Sequence, residues 1–130
     1  FLFEKGTVNT QFSYFFNSNN VFYFRTIGLS TQDLTFNTTT HITAGNWHQI
    51  VATYASGVKT IYINGIQRYQ QTGITGTIAT GKVNQYIGAY GPGSGYFFNG
   101  KIATSKFYNR ALSAQEVQQN FNALRGRYGL

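Results

Sequence analysis

Asn64-Gly65 separates two runs of β-forming residues, Lys59–Ile63 and Ile66–Gln70. A two-residue Asn-Gly link between such runs points to a tight hairpin, because its favoured turn needs positive φ at both positions. The link forces antiparallel pairing, and the rest of the chain repeats the pattern. Gln11–Phe16 and Val21–Thr26 flank the turn formers Asn17-Ser18-Asn19-Asn20, which predicts a second hairpin with a four-residue loop. In its second arm Phe22 and Phe24 point one way, and Val21, Tyr23 and Arg25 the other. Asn99-Gly100, between Tyr96–Phe98 and Lys101–Thr104, predicts a third.

Trp47–Tyr54 carries apolar residues on both faces, as a central, largely buried strand does. Phe1–Lys5, Gln85–Gly88 and Lys106–Tyr108 are short strands, and Leu29–Phe36 is a weaker one. Thr38–Thr40 suits an exposed strand, and Gln70–Lys82 reads as a long loop or edge strand. One helix is well specified. Ser113 with Glu116 makes a capping box, Leu112 can staple against Val117, and Val117, Phe121 and Leu124 form one buried stripe. Arg125 complements the dipole at the end of the helix, and Gly126 is the expected stop. The fold class is therefore all-β: an antiparallel two-sheet sandwich or jelly roll with one short C-terminal helix. At 130 residues it is read as a single domain.

Composition narrows the chemistry. Charged residues make up 10%, which excludes charge-laced helical bundles, and aromatics make up 18%, ample for a core. Only three acids occur, Glu4, Asp33 and Glu116. A glycosidase needs two carboxylates at a set separation, and a calcium cage needs several oxygen ligands. Neither catalysis nor a metal or other cofactor is expected. With no cysteine there is no disulfide and no thiolate. No apolar run is long enough to cross a membrane as a helix. The net charge of +7 favours anionic partners or surfaces, although it also serves simply to keep a sparsely charged surface soluble. The basic residues are too dispersed for a nucleic-acid protein.

Trp47 reads as a core residue, and His48, on the opposite strand face, as a hydrogen-bonded structural histidine. His41 reads as a surface residue. The best recognition candidates are Tyr90 and Tyr96, which bracket the loop Gly91-Pro92-Gly93-Ser94-Gly95. Such tyrosines can stack on sugar faces or pack on a protein, and they equally suit an ordinary hairpin end. Arg68 and Tyr69 are secondary candidates.

Three ordered segments carry a resemblance. They are Trp47-His48-Gln49-Ile50-Val51-Ala52-Thr53-Tyr54; Ile61-Tyr62-Ile63-Asn64-Gly65; and Phe98-Asn99-Gly100-Lys101-Ile102-Ala103, followed by Phe107-Tyr108-Asn109-Arg110-Ala111-Leu112-Ser113 and the helix. Tyr86-Ile87-Gly88 lies between the last two. The set resembles the laminin-G-like group of the concanavalin A-like lectin/glucanase superfamily, and Phe3-Glu4-Lys5-Gly6 is similar to that group's early segment. The resemblance implies a jelly-roll sandwich and an upstream strand or two, so the chain is expected either to be the C-terminal part of a longer protein or to have disordered upstream residues. The clustered acids of the family's glucanases and the rim Asp of its calcium-binding members have no counterpart here. The ending from Asn120 to Leu130 resembles modules that close bacteriophage structural proteins. The resemblance thus implies a non-catalytic decoration or fibre module on a virion surface, part of an oligomeric assembly, whose partners are a glycan or other virion proteins. The alternative is a secreted bacterial carbohydrate-binding module attached to an enzyme or adhesin.

Overall fold

The computed structural model describes residues 2–5, 11–80, 84–91 and 95–130. The chain divides into two compact units, each built from two stretches: 1–37 with 75–106, and 38–74 with 107–130.

The first unit holds a five-stranded antiparallel sheet. Its strands are β1 (Phe3–Lys5), β2 (Phe12–Phe16), β3 (Val21–Thr26), β4 (Asp33–Asn37) and β8 (Gln85–Ile87), in the order β4-β3-β2-β1-β8. The predicted β2–β3 hairpin forms. Asn17 Oδ1 accepts from the backbone N–H of Asn19 at 3.0 Å and of Val21 at 2.9 Å, so the turn is held by its first residue. Alternation then sorts the side chains. Phe22 and Phe24 on β3 and Leu34 and Phe36 on β4 are buried. Tyr14 lies opposite Phe24 and Phe16 opposite Phe22. Phe22 touches three rings, with centroids 5.1 Å to Phe36, 5.2 Å to Phe16 and 6.3 Å to Tyr14, a network worth more than its buried area alone. Burial pushes the Tyr14 hydroxyl's pKa upward. The strand expected over Leu29–Phe36 is shorter: only Asp33–Asn37 pairs, and Leu29 makes an isolated bridge to Gly76.

The second unit holds a three-stranded sheet, β5 (Ile50–Ala55), β6 (Val58–Ile63) and β7 (Ile66–Gln71), with helix α1 (Ala114–Arg125). The Asn64-Gly65 turn has the positive φ values its sequence predicts, 52° and 78°. The buried centre is β6, not β5: β6 is paired on both edges and is buried from Lys59 to Ile63, whereas β5 is an edge strand and half-buried. Trp47, His48 and Gln49 lie before β5 rather than in it. Tyr62, Leu112 and Val117 form a buried cluster with Val51 packed on it, so the predicted staple residues share one core. The capping box is complete. Ser113 Oγ accepts from the Glu116 N–H at 3.2 Å, and Glu116 accepts from the Ser113 N–H at 2.8 Å. Gly126 does not stop the chain's helical run. It is right-handed at φ −63° and opens a 3-10 turn to Tyr128, and the left-handed residue is Gly129 at φ 69°.

Two further expectations change. Thr38–Thr40 is a 3-10 turn, not a strand. Asn99-Gly100 makes no hairpin: neither residue has positive φ, and 101–106 is exposed without a strand. The cause is local. The Phe98 ring sits where a Cβ on Gly100 would be, 2.7 Å from its ring carbons, and the Phe98 N–H is already spent on the Gly88 carbonyl at 2.8 Å. Lys106–Tyr108 likewise forms no strand.

Candidate functional site

The five-stranded sheet has one face of mixed aromatic and charged character. Its residues are the half-buried partners of the β3 core positions: Tyr23 and Arg25 on β3, Phe15 opposite Tyr23 on β2, and Asp33 opposite Arg25 on β4. Phe15 and Tyr23 stack almost parallel, with centroids 4.7 Å apart and planes at 3°. The Arg25 guanidinium lies over both rings, 5.2 Å from the centre of Phe15 and 5.8 Å from that of Tyr23. Asp33 fixes it with a two-pronged pair: Nε donates to one carboxylate oxygen at 2.8 Å and Nη2 to the other at 2.7 Å. The hydrogen bond to Asp33 is the main cause that raises the Arg25 pKa, with charge effects from Asp33, Tyr23 and Tyr90 adding to it. Both side chains keep solvent contact, 38% for Arg25 and 29% for Asp33. The tip of this face is therefore a fixed row of donors and acceptors beside flat apolar rings.

Tyr90 lies within electrostatic range of Arg25. It also meets Tyr96: the Tyr90 N–H donates to the Tyr96 carbonyl at 3.2 Å, and the rings lie edge to face, 6.1 Å apart and at 80°. Tyr96 is 66% exposed and Phe97 70%. The structure thus brings together the two tyrosines singled out from sequence. The loop residues Pro92, Gly93 and Ser94 between them lie outside the described residues, as do Phe1 and Gly6 of the early segment and Gly81 and Lys82 of the predicted loop.

Arg68 and Tyr69 belong to the other unit. The β6–β7 register shifts between Ile61 and Tyr62, where Tyr62 pairs with Gln67 and Ile61 with Tyr69. Arg68 is the extra residue of that bulge and is exposed. Tyr69 is half-buried and set edge-on to His41, centroids 5.8 Å apart. These two do not form a constellation like that around Arg25.

Sequence reasoning passed over Arg25 and Asp33, although the alternation that set Arg25 beside Tyr23 was visible. Arg25 holds Asp33 by two hydrogen bonds. Trp47 is not a core residue. It is half-buried, 5.4 Å from the Tyr128 ring, and lines a pocket of about 350 Å³ with Asn46, His48, Asn64 and Tyr128. His48 is the hydrogen-bonded histidine expected. Nε2 lies 3.0 Å from the Thr43 N–H nitrogen and 3.2 Å from the Thr43 carbonyl, and Nδ1 lies 3.4 Å from the Asn64 amide nitrogen.

Glu116 receives both Arg110 Nη atoms, at 2.7 and 2.8 Å. Arg110 first, then the Ser113 backbone, lowers the Glu116 pKa to about 2. Among the described residues no group of three or more His, Cys, Asp or Glu side chains is placed to hold a metal ion, and no helix is long and apolar enough to cross a membrane.

The chain is thus an antiparallel β architecture with one helix, an aromatic and polar sheet face, and Asp33 and Glu116 each tied to an arginine. The chain belongs to the concanavalin A-like lectin/glucanases superfamily, whose laminin G family model matches residues 1–118. Among solved structures, an S-layer domain-containing protein from Clostridium thermocellum (residues 221–444) is similar, with a TM-score of 0.42 and 22% identity. The match covers 84% of this chain and spans 61% of that one. A search of curated proteins finds no match.

Proposed function

We propose that this chain is a non-catalytic recognition module that binds an uncharged glycan on the sheet face formed by Phe15, Tyr23, Arg25 and Asp33, with Tyr90 and Tyr96 extending the site beyond the strands. The observation that carries the reading is the Arg25–Asp33 pair laid over the Phe15–Tyr23 stack. A pyranose offers an apolar ring face and a rim of hydroxyls. Flat aromatic rings match the first, and a guanidinium–carboxylate pair, donor beside acceptor, matches the second. The pair is neutral as a unit, so the site suits an uncharged sugar.

A non-catalytic role is supported by the state of Asp33 and Glu116. A glycosidase's general acid needs a raised pKa. Glu116 is held at about 2, and Asp33 spends both oxygens on Arg25. Membership of the lectin/glucanase superfamily supports jelly-roll connectivity and a display role. We infer that the module sits outside the cell, on the surface of a larger assembly. The resemblance of its last residues to phage structural modules favours a virion.

The test is a glycan array followed by titration calorimetry. The expected result is binding to at least one neutral glycan, weakened about tenfold or more by Arg25→Gln and by Tyr90→Ala. An array with no neutral hit, or a hit that both variants leave unchanged, would overturn the reading.

A further inference from the structure

The β8 end of the five-stranded sheet leaves part of its core face uncovered. Strand register aligns Ile87 on β8, through Phe3 and Tyr14, with Phe24 and Leu34. Residues aligned across a sheet share one face. Phe24 is 3% exposed in that row, whereas Ile87 is 55% exposed. Two more apolar side chains lie beside it. The Ile102 Cδ1 atom is 3.8 Å from where a Cβ on Gly88 would stand, and Phe97 is bridged to Ala89. Both are exposed. β8 is also the last strand of its sheet, so among the described residues one edge of Gln85–Ile87 has no strand beside it. That edge carries neither the charge nor the proline that usually blunts one. All of these residues belong to the first unit.

Charge and backbone chemistry together choose the occupant. Lys101 adjoins Ile102 in the chain, Lys106 ends the same stretch, and both are exposed. No Asp or Glu occurs between positions 85 and 106. A second copy seated face to face would bring these lysines together on chains that each carry +7. The lysines call instead for an anionic partner. An anionic lipid surface supplies the charge, but hydrocarbon cannot satisfy the N–H and C=O groups of an open strand edge. An extended acidic peptide supplies both, with backbone groups for the edge and alternate side chains for the patch. We propose that the β8 edge docks an acidic, β-forming peptide segment of a partner protein, its apolar side chains against Ile87, Phe97 and Ile102 and a carboxylate on Lys101. The surface goes beyond the neutral-glycan face: its residues are different and its ligand is a polypeptide.

The probe is a fluorescently labelled eight-residue peptide of alternating valine and glutamate. One control carries glutamine in place of glutamate. The other is the acidic peptide N-methylated throughout, which keeps the charge and removes the backbone donors. Anisotropy is expected to show saturable binding of the acidic peptide, about tenfold weaker for the glutamine peptide and for Lys101→Gln, and none for the methylated one. Amide exchange within Gln85–Ile87 should slow when the acidic peptide is bound. Ile87→Ser should weaken binding too, and Arg25→Gln should leave it unchanged. Melting curves check folding; Lys101→Gln alters an exposed side chain and keeps the test open if Ile87→Ser does not fold. No saturable binding, equal binding of the methylated peptide, indifference to Lys101→Gln, or loss of binding in Arg25→Gln would each overturn the proposal. So would phosphatidylserine-vesicle binding or self-association that Lys101→Gln or Ile87→Ser alters while no peptide binds.

Discussion

Gly65 shows how much of this structure rests on single atoms. Its φ of 78° is one that only glycine adopts without strain, and a Cβ added there would lie 3.0 to 3.2 Å from three carbons of Phe121. Two penalties coincide. The left-handed backbone costs roughly 1–2 kcal/mol for any other residue, and the ring on α1 must shift as well. Gly129 has a similar φ, 69°, with nothing within 4 Å of its would-be Cβ. Gly65→Ala is therefore expected to destabilise the protein by about 1–2 kcal/mol or more, and by more than Gly129→Ala. Denaturant midpoints of the two variants at constant slope are the measurement; equal midpoints would show that Phe121 yields freely.

At the scale of the element, α1 is held at its start by side chains within six residues of one another. Ser113 and Glu116 cap each other, and Arg110 holds the Glu116 carboxylate from outside the helix. Ser113→Ala is expected to cost about 0.5–2 kcal/mol, most of it in the first turn. The same group makes the helix acid-sensitive in a definite sense. The Glu116 pKa is depressed from 4.5 to about 2 in the folded chain. Its contribution is thus complete above the unfolded carboxylate's value and is lost as pH falls through about 2. Helical circular dichroism of the wild type should hold down to about pH 4 and decline below it, whereas Glu116→Gln should remove most of that slope. A wild-type slope equal to the variant's would count against the cap as its origin. This locality is also why the helix was legible in sequence, like the Asn17–Asn20 and Asn64-Gly65 turns: each is decided by neighbours along the chain. Arg25–Asp33 depends on the register of strands joined by no tight turn, and the Trp47–Tyr128 contact joins distant parts of the chain. Only parity hinted at the first, and nothing local marked the second. Asn99-Gly100 failed for the opposite reason: its local signal was sound, but its first arm is bridged to the 88–90 segment instead, through Phe97 to Ala89 and the Phe98 N–H to the Gly88 carbonyl.

For the whole molecule the governing quantity is a positive charge with little internal compensation. The net charge is +7, and the ion pairs Arg25–Asp33 and Arg110–Glu116 use two of the three acids. Lys101, Lys106, Arg125 and Arg127 are all exposed. Opposite charges at such a surface attract over about 10 Å at 0.1 M salt and over about 3 Å at 1 M. The protein should bind a sulfated-polysaccharide resin at low ionic strength and leave it as salt rises, and Arg125→Gln with Arg127→Gln should move elution to lower salt. The neutral-glycan face should behave differently, because Arg25 is compensated by Asp33 in the free protein and contributes no net charge to an uncharged ligand. Its affinity is expected to change less than about twofold over the same salt range, whereas resin retention is abolished. Parallel salt dependence of the two would mean that the sheet face works through charge rather than through ring stacking and paired hydrogen bonds. Sulfated-resin retention unmoved by the double substitution would place the attraction on other basic residues.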